Sequence, residues 1–370
     1  MSNQYPIIGF DAKRIVRNGT GLGSYGRTLV NDLANYPLTL RLYAPDMGRD
    51  DLRNQIVQSE RISLHTPHST LLGKSYWRSH GIVKDLQRDG VQLFHGLSGE
   101  LPFGIHKSGI KTVVTIHDLI FLRHPEFYNP IDVKIYTWKF RQTLREADHI
   151  IAISECTKRD ILEYGGADVS EDKITLIYQS CSPRFNISPT ASPSRYILSV
   201  GSIEARKNTI LAVKALPYLP SDISLVLVGR HTKYTDKILA YAKEHQLEHR
   251  VKVMHGVPDS DLPALYAGAE VFVYPSIYEG FGIPIIEAIS CGLPVVACTG
   301  SCLEEAGGPD NLYVAPDDAL GMADAIRQSL KGAEGRDERI QRSMQYIRRF
   351  SGNDVAGQVV EVYKKLLRNY

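Results

Sequence analysis

The stretch Val271–Ile289 constrains the chain most, because it combines a buried strand, a glycine-bracketed loop and a helix start. The apolar run Val271–Tyr274 predicts the strand. Pro284 stands where a helix commonly begins, since the first helical position needs no backbone N–H. A loop between such a strand and helix leaves backbone N–H groups and the positive end of the helix dipole available to an anion. Gly280 and Gly282 would let a ligand approach the main chain closely.

Two carboxylates eight residues apart flank this loop. Glu279 lies at the mouth of the loop, and Glu287 is expected in the first turn of the helix. Carboxylates repel phosphate, so the pair is expected to face hydroxyl groups while the loop N–H groups face phosphate. The stretch therefore favours a ligand with both a sugar and a phosphate. A purely structural role stays open, because the dipole alone favours glutamate in a first turn and such units are common in α/β proteins.

The segment from Glu279 to Glu287, E-G-F-G-I-P-I-I-E, resembles the E-x7-E motif of the retaining glycosyltransferases of family 4 (group 1). This family has the GT-B fold and includes bacterial mannosyltransferases and related sucrose and glycogen synthases. The resemblance implies that Glu287 binds the ribose of a nucleotide-sugar donor and that Glu279 binds the sugar hydroxyls. Four neighbours of Glu279 are expected to bind substrate with it: Gly280, Phe281, Gly282 and Ile283.

The composition is that of a globular protein long enough for two domains. The chain has 370 residues, 43% hydrophobic and 23% charged, with a net charge of +2. This balance argues against wholesale nucleic-acid binding. No apolar run approaches the roughly 20 residues that span a bilayer, and the start lacks the features of a signal peptide. We therefore expect a cytoplasmic protein.

The cysteines argue against metal and disulfide roles. None forms a C-x-x-C pair, so buried free thiols in a reducing compartment are expected. The five positions are Cys156, Cys181, Cys291, Cys298 and Cys302.

A glycine-rich segment follows the first predicted strand at some distance. Gly21, Gly23 and Gly26 satisfy G-x-G-x-x-G, and Asp46 lies about 20 residues further on, as in a dinucleotide-binding domain. However, Asp11–Asn18 separates the strand from the glycines, whereas a Rossmann turn is tight. This argues against an NAD-dependent enzyme. The family resemblance instead implies a glycine loop here, with Gly21 and Gly23 at the substrate.

Histidines follow two predicted strands of the first half. Thr112–Ile116 ends on His117 and Asp118, and His95 closes an earlier short strand. Functional groups of open α/β sheets gather at strand carboxyl ends, so these side chains are expected to line a crevice. His117-Asp118 resembles the family's His-Asp pair, in which the histidine contacts the donor sugar. The alternative is a loop histidine paired with the neighbouring acid.

A cationic segment, Gly201–Asn208, follows the strand Tyr196–Val200. Two adjacent cations at a predicted helix start oppose the helix dipole, so they are expected to serve an anion. The segment G-S-I-E-A-R-K-N resembles the family pattern G-R-L-x-P-R-K-N, whose arginine and lysine bind the donor diphosphate. Lys207 matches the lysine. Ser202 stands where many members have arginine, so Arg206 is expected to carry that charge, with Ser202 at the substrate.

The two halves are organised alike. Strands alternate with helices throughout, which predicts parallel sheets covered by helices. The proline- and serine-rich stretch Cys181–Ser194 is the predicted linker. We expect an acceptor-side domain over 1–182 and a nucleotide-sugar domain over 183–353. The GT-B resemblance implies two Rossmann-like domains facing a central cleft, with an amphipathic helix in 354–370 returning to the first domain.

The resemblance implies a retaining hexosyltransferase. We expect it to need no metal or other cofactor, because Lys207 and Arg206 are available to neutralise the diphosphate. As the glycosidic bond breaks, the leaving diphosphate gains negative charge, which Lys207, Arg206 and the loop N–H groups are suited to stabilise. Together with Glu279 and His117, these two cations form the expected catalytic group. The departing phosphate is expected to help deprotonate the acceptor.

The donor and the acceptor are less closely defined. His117-Asp118-Leu119 and the following Pro125-Glu126 resemble mannosyltransferases most, which favours GDP-mannose, with UDP-sugars as the alternative. A phosphorylase of the same fold and a non-catalytic nucleotide-sugar binding protein also stay open. The expected acceptor is a glycan or lipid-linked sugar of surface polysaccharide or glycolipid synthesis. The basic, aromatic segment Lys134–Arg145 predicts peripheral contact with the inner membrane face, although a solvated amphipathic helix would look the same.

Overall fold

The chain forms two compact units in the computed structural model. The structure describes residues 5–67, 73–186, 195–350 and 352–367. The first unit comprises Met1–Tyr178 and Asp354–Tyr370, and the second comprises Gln179–Asn353. Most of the predicted linker, residues 187–194, lies outside the described residues.

Strands and helices alternate along the described residues. The strands are β1 (Ile7–Asp11), β2 (Thr39–Tyr43), β3 (Ile62–His65), β4 (Leu93–Gly96), β5 (Lys111–Ile116), β6 (His149–Ala152), β7 (Ile174–Leu176), β8 (Tyr196–Val200), β9 (Ser224–Val228), β10 (Val251–Met254), β11 (Val271–Tyr274), β12 (Val295–Cys298) and β13 (Leu312–Val314). The helices are α1 (Lys13–Arg17), α2 (Gly21–Leu33), α3 (Asp50–Arg53), α4 (Lys74–Tyr76), α5 (Ile82–Arg88), α6 (Ile120–Arg123), α7 (Pro130–Glu146), α8 (Glu155–Gly165), α9 (Ile210–Ala215), α10 (Lys233–Glu244), α11 (Leu262–Ala267), α12 (Ile283–Ser290), α13 (Leu303–Gly307), α14 (Ala319–Ser329), α15 (Arg336–Ile347) and α16 (Val355–Leu367).

Each unit is built around one parallel sheet. Within the described residues, the first sheet has the order β3-β2-β1-β4-β5-β6-β7 and the second has the order β10-β9-β8-β11-β12-β13. In each unit the order begins third, second, first, fourth, fifth and sixth strand, which is the order of the Rossmann fold. The prediction of two Rossmann-like parallel-sheet domains is confirmed.

The central strands are buried on both faces, as a parallel sheet covered by helices requires. Val271, Phe272 and Val273 of β11 are completely buried, and so are Ile150 and Ile151 of β6. Such strands lack polar alternation, which is why continuous apolar runs in the sequence located them.

The last helix, α16, packs into the first unit. Val359, Val360 and Tyr363 lie in the same hydrophobic core as β1, β2 and α2. Just before the helix, Asp354 accepts a hydrogen bond of 2.7 Å from the Tyr36 hydroxyl. The apolar face of the helix is therefore buried. No described helix has the length and apolar character that crossing a bilayer would need.

The glycine segment of the first unit is helical, which corrects the expectation of a loop. Helix α2 begins at Gly21, directly after Thr20. A Cβ atom on Gly23 would lie 1.8 Å from the carbonyl oxygen of Asn18, whereas one on Gly21 would meet no atom within 4 Å. Gly23 is thus required by the close packing of the preceding turn. This packing explains the glycine without any ligand.

The two glycines give a matched pair of substitutions. Gly23→Ala is expected to lower the free energy of unfolding by about 1–3 kcal/mol, because the new methyl group overpacks the turn. Gly21→Ala is expected to be neutral or to raise it by up to about 1 kcal/mol, because alanine favours helix and has open space. Urea unfolding followed by circular dichroism measures both, and equal midpoints would contradict the packing described here.

Candidate functional site

A buried cluster of charged residues lies in the second unit. Glu279 is only 8% exposed. Its Oε1 lies 2.5 Å from the Lys207 ammonium, and its Oε2 lies 2.9 Å from Nη1 of Arg206. The Lys207 ammonium also donates to the Tyr274 hydroxyl at 2.8 Å, and that hydroxyl donates to Glu279 at 3.3 Å. The structure therefore brings together three of the residues that the sequence predicted to be catalytic.

The cluster keeps its charges despite its burial. Burial alone would raise the pKa of Glu279, but Lys207 and Arg206 lower it. Burial would lower the pKa of Lys207, but Glu279 raises it above its ordinary value. Burial and the adjacent carboxylate raise the pKa of Tyr274 to about 12, so the phenol is neutral. At neutral pH the cluster thus carries two positive charges and one negative charge, which favours an anionic ligand.

The backbone places the two cations differently from the prediction. Arg206 and Lys207 lie in a single 3₁₀ turn, Ala205–Lys207, and not at the start of an α-helix. Asn208, with φ of 52°, ends that turn before α9 begins. The carbonyl of Arg206 accepts a hydrogen bond of 2.9 Å from the Ile277 amide. This bond ties the cationic turn to the loop that carries Glu279.

Tyr274 is a member of the cluster that the sequence analysis did not single out. It is the last residue of β11 and lies immediately before the loop. Functional groups of such sheets lie at strand carboxyl ends, and this position was the signal that could have identified it.

Contacts with the core of the second unit hold the middle of the Glu279 loop in place. The ring of Phe281 is 3% exposed and packs edge-on against Phe350 at 5.3 Å. Phe281 was predicted to bind substrate, but its side chain belongs to the core, so only its main chain is suited to contact a ligand. The Cys302 thiol donates to the carbonyl oxygens of Phe281 and Glu279 at 2.6 and 3.1 Å. No sequence pattern indicated this contact from a distant segment.

The remaining loop residues lie where the sequence placed them. Gly282, with φ of 128°, precedes α12, and a Cβ there would lie 3.1 Å from that of Ala306. Both observations explain why this position is glycine. Gly280 and Ile283, on either side of the Phe281-Gly282 pair, are half-buried.

Glu287 lies in the second turn of α12, since that helix begins at Ile283, so its expected position in the first turn is wrong. The Tyr266 hydroxyl donates to its Oε2 at 3.0 Å. Burial raises the pKa of the Glu287 carboxyl to about 7. Glu287 therefore titrates near neutral pH, whereas the cations keep Glu279 ionised.

Ser202 lines a small pocket together with Gly201, Lys207 and Thr209. Ser202 is half-buried. The Thr209 hydroxyl is buried, and it makes no hydrogen bond within the part of the chain that the structure describes. A buried hydroxyl without a partner, in a pocket that Lys207 also lines, suits a ligand with oxygen acceptors.

His117 and Asp118 lie at the end of β5 in the first unit, as predicted. The Nε2 atom of His117 donates to the carbonyl oxygen of Leu97 at 2.9 Å, and its ring meets the edge of Tyr25 at 4.8 Å. Burial lowers the pKa of His117 to about 4, so the ring is neutral at pH 7 with its proton on Nε2. Asp118 accepts a hydrogen bond of 3.2 Å from the Ile120 amide at the start of α6.

His95 does not line a crevice, so that expectation is wrong. The side chain is fully buried between the Tyr363 hydroxyl at 2.6 Å and the Thr115 hydroxyl at 2.8 Å. Burial lowers its pKa to about 3. His95 is a neutral core histidine that joins the sheet to α16.

Asp46 is not placed as in a dinucleotide-binding domain. Its carboxylate pairs with Arg17 and, at 2.8 Å, with Lys74. Gly21 and Gly23 lie in helix α2 and not in a tight turn. Neither the glycines nor Asp46 therefore has the structure expected in a dehydrogenase.

The possible metal ligands are scattered. The cysteines are free, and all are buried except the half-buried Cys181. Within the described ranges, no three His, Cys, Asp or Glu side chains are grouped as metal ligands. The sequence contains Asp259-Ser260-Asp261, but both aspartates are exposed, and Asp259 lies 3.6 Å from Arg184.

Known protein families match both halves of the chain. Residues 184–346 match the family of glycosyl transferases group 1, and residues 19–182 match glycosyltransferase family 4. The chain is 29% identical over 292 residues to O-antigen chain mannosyltransferase B of Escherichia coli, with 74% of each chain covered. It is 27% identical over 301 residues to the serotype-specific mannosyltransferase WbdA of the same organism. That match covers 75% of this chain but only 37% of WbdA.

Solved structures support the fold. The chain is similar to sucrose-phosphate synthase from Thermosynechococcus elongatus, with a TM-score of 0.78 and 20% identity over 99% of this chain and 100% of that one. It is similar to Anabaena Alr3699/HepE in complex with UDP and glucose, with a TM-score of 0.74 and 17% identity over 98% and 100%. These likenesses show the GT-B fold.

The raised pKa of Glu287 predicts a pH dependence of stability. Between its ordinary pKa and about 7, the folded chain binds a proton at Glu287 that the unfolded chain has released. The free energy of unfolding therefore falls as the pH rises through this window, and the contribution is constant above it. In Glu287→Gln, which keeps an acceptor for Tyr266, the loss of stability between pH 5 and pH 8 should be smaller by about 2–3 kcal/mol. Urea titrations at both pH values measure it, and parallel losses in both proteins would contradict the assignment.

Proposed function

The chain belongs to the group 1, family 4 glycosyltransferases, and from this premise we propose that it transfers mannose from GDP-mannose to an acceptor hydroxyl with retention of configuration. The mannosyltransferase relatives support mannose as the transferred sugar. The observation that supports this chemistry is the pair of half-buried cations that contact the buried Glu279 carboxylate. A cationic pocket of this kind suits a diphosphate leaving group.

Lys207 and Arg206 hold the donor diphosphate in this proposal. Charge develops on the phosphate as the glycosidic bond breaks, and fixed cations in a buried site stabilise such charge more strongly than water does. The Thr209 hydroxyl, which lacks a partner among the described residues, donates to a phosphate oxygen. The departing phosphate then accepts the proton of the acceptor hydroxyl. This arrangement needs no divalent metal at the diphosphate.

The two glutamates divide the recognition of the donor. Glu279, held by Lys207 and Arg206, turns one oxygen to the sugar hydroxyls when the phosphate takes over part of the cation contacts. Glu287, oriented by the Tyr266 hydroxyl, accepts hydrogen bonds from the ribose. Ionised carboxylates accept such bonds more strongly than neutral groups do. The affinity for the donor should therefore increase when Glu287 loses its proton.

Three alternatives make different predictions. A UDP-sugar donor is the nearest, since the Alr3699/HepE structure contains UDP and glucose. A phosphorylase would release sugar phosphate without a nucleotide. A non-catalytic protein would bind the nucleotide sugar without transfer to any acceptor. Calorimetric titration with GDP and UDP, followed by incubation with each nucleotide sugar, separates these cases.

The proposed contact of Lys207 with the phosphate is tested by comparing GDP with guanosine, which has no phosphate. Lys207→Ala should weaken GDP binding about ten- to hundredfold, because a charged hydrogen bond to the phosphate is lost, and should leave guanosine binding unchanged. Lys214→Ala is the matched control, since Lys214 is an exposed lysine on the neighbouring α9. Calorimetric titration in excess chelator measures the affinities.

Three results of these titrations would contradict the proposal. Tighter binding of UDP than of GDP would favour the UDP-sugar donor. An equal loss of GDP and guanosine affinity in Lys207→Ala would indicate a general structural defect. Binding that requires added Mn²⁺ or Mg²⁺ would contradict the assignment of the diphosphate to protein cations.

An exposed apolar stripe on α7 supports peripheral membrane contact. Ile131, Ile135 and Trp138 are 68%, 43% and 53% exposed and recur on one face of the helix. Exposed Lys134 and Arg141 accompany them on α7. Apolar and cationic side chains together are typical of helices that lie in an anionic membrane surface. We propose that the protein works in the cytoplasm at the inner membrane face, where lipid-linked acceptors are accessible.

Vesicle flotation tests the α7 stripe. The wild-type protein should float with vesicles of anionic phospholipid at low salt, and less of it should float as salt rises, because screening weakens the attraction. The double variant Ile131→Glu, Ile135→Glu should stay in solution. Leu239→Glu on α10 is the control, since Leu239 is an apolar helix residue of similar exposure, 38%, in the second unit. Failure of the wild-type protein to float at low salt would exclude the proposal.

A further inference from the structure

The first unit contains a second charged site, a cavity of about 450 Å³ at the carboxyl-terminal edge of its sheet. Residues that follow β1, β2 and β4 contribute to its walls, which is where ligands bind in open α/β sheets. Five cationic side chains line it: Lys13, Arg17, Lys74, Arg78 and Lys139.

Carboxylates compensate these cations only in part. Arg78 pairs with Asp11 and, at 2.5 Å, with Glu100. Glu100 is shared with Lys139 at 3.1 Å.

The second shared carboxylate is that of Asp46, which pairs with both Arg17 and Lys74. The five cations of the cavity therefore face three carboxylates, Asp11, Glu100 and Asp46. Two positive charges are left in excess.

Lys13 is the cation whose charge is least compensated. Its side chain is half-buried in the cavity wall, and the ammonium makes no hydrogen bond or ion pair with any residue of the described ranges. Burial and the nearby Arg78 lower the pKa of Lys13. A partly desolvated ammonium beside like charges is stabilised by an anion bound in the cavity.

Apolar groups continue from the cavity to the surface. Phe94, Leu101 and Phe103 line its wall. The ring of Phe103 lies 4.8 Å from that of His80 and 5.1 Å from that of Trp138, which is 53% exposed on α7. A ligand with a charged head and an apolar chain would find a matching surface for both parts.

We propose that this cavity binds the phosphate or diphosphate group of the glycosyl acceptor, with Lys13 as a direct contact. This inference rests on the proposed function, because only a transferase has an acceptor. A phosphate group of charge about −2 matches the two uncompensated positive charges. The aromatic path from Phe103 to Trp138 favours a phosphate attached to an apolar chain, whereas a soluble phosphorylated glycan would use the charged part alone.

Calorimetric titrations with inorganic pyrophosphate, farnesyl diphosphate and farnesol, made with saturating GDP at the Lys207–Arg206 site, test the cavity without turnover. Lys13→Ala should weaken both diphosphates about ten- to hundredfold, because a contact with the charged group is lost. Lys13→Arg should restore most of the affinity. Lys107→Ala, at an exposed lysine of the same unit that does not line the cavity, should have no effect. Because the Lys13 ammonium makes no hydrogen bond or ion pair within the described residues, and the backbone contact with Asp11 is kept, the substitution should leave the fold intact.

The outcomes distinguish a lipid-linked from a soluble phosphorylated acceptor, and binding in this cavity from binding at the Glu279 cluster. Tighter binding of farnesyl diphosphate than of pyrophosphate supports the cavity with a lipid-linked acceptor, and equal binding supports it with a soluble phosphorylated one. Absence of diphosphate binding, or binding lost in Lys207→Ala but kept in Lys13→Ala, would overturn the proposal. GDP affinity should be unchanged in every Lys13 variant. Failure of GDP to bind at all would count against the proposed donor instead, so the two proposals fail separately.

Discussion

The contact of Glu279 with Lys207 and Arg206 is the interaction on which the candidate site depends. Moving such ions out of water costs several kcal/mol each, and only close pairing offsets that cost. One carboxylate here serves two cations, with Tyr274 completing the contacts of Lys207. The cations therefore stay ordered and charged without a ligand, and the cluster keeps an excess positive charge. Once a diphosphate has bound, cations held in this way need little further reorganisation as charge develops on the phosphate.

The Rossmann order explains why the charged residues of each unit meet. In the second unit Tyr274 ends β11 and the Glu279 loop follows it, while the cationic turn follows β8, which pairs with β11. In the first unit Asp11 ends β1 and Glu100 follows β4, again on paired strands. Parallel strands bring their carboxyl ends to one edge, so residues distant in sequence become neighbours there. The apolar runs thus determine the positions of the polar residues between them.

The sequence predicted structural features that follow from a local residue pattern, but it missed features that depend on contacts between segments distant in the chain. Buried strands such as β11 followed from apolar runs in the sequence. The strand β3 was missed because all four of its residues are only half-buried and its apolar run is short. The family resemblance implied a loop at Gly21 and Gly23, but both lie in α2, where Gly23 is needed for the close approach of the Asn18 carbonyl. The Cys302 contact under the Glu279 loop has no local signature, since it joins segments that only the fold brings together.

In both charged sites one carboxylate pairs with more than one cation, but an anionic ligand would change the existing contacts differently in the two sites. In the first unit Arg78 is held by Asp11 and Glu100, whereas Lys13 has no such partner in the described residues, so an anion there adds contacts without displacing any. In the second unit Lys207 and Arg206 already contact Glu279, so a diphosphate must exchange with that carboxylate for part of their coordination. The affinity for the donor therefore depends on the difference between the strength of the new phosphate contacts and that of the Glu279 contacts that they replace. It follows that binding at the Glu279 cluster should move the Glu279 side chain, and that this movement is what frees the carboxylate to meet the sugar.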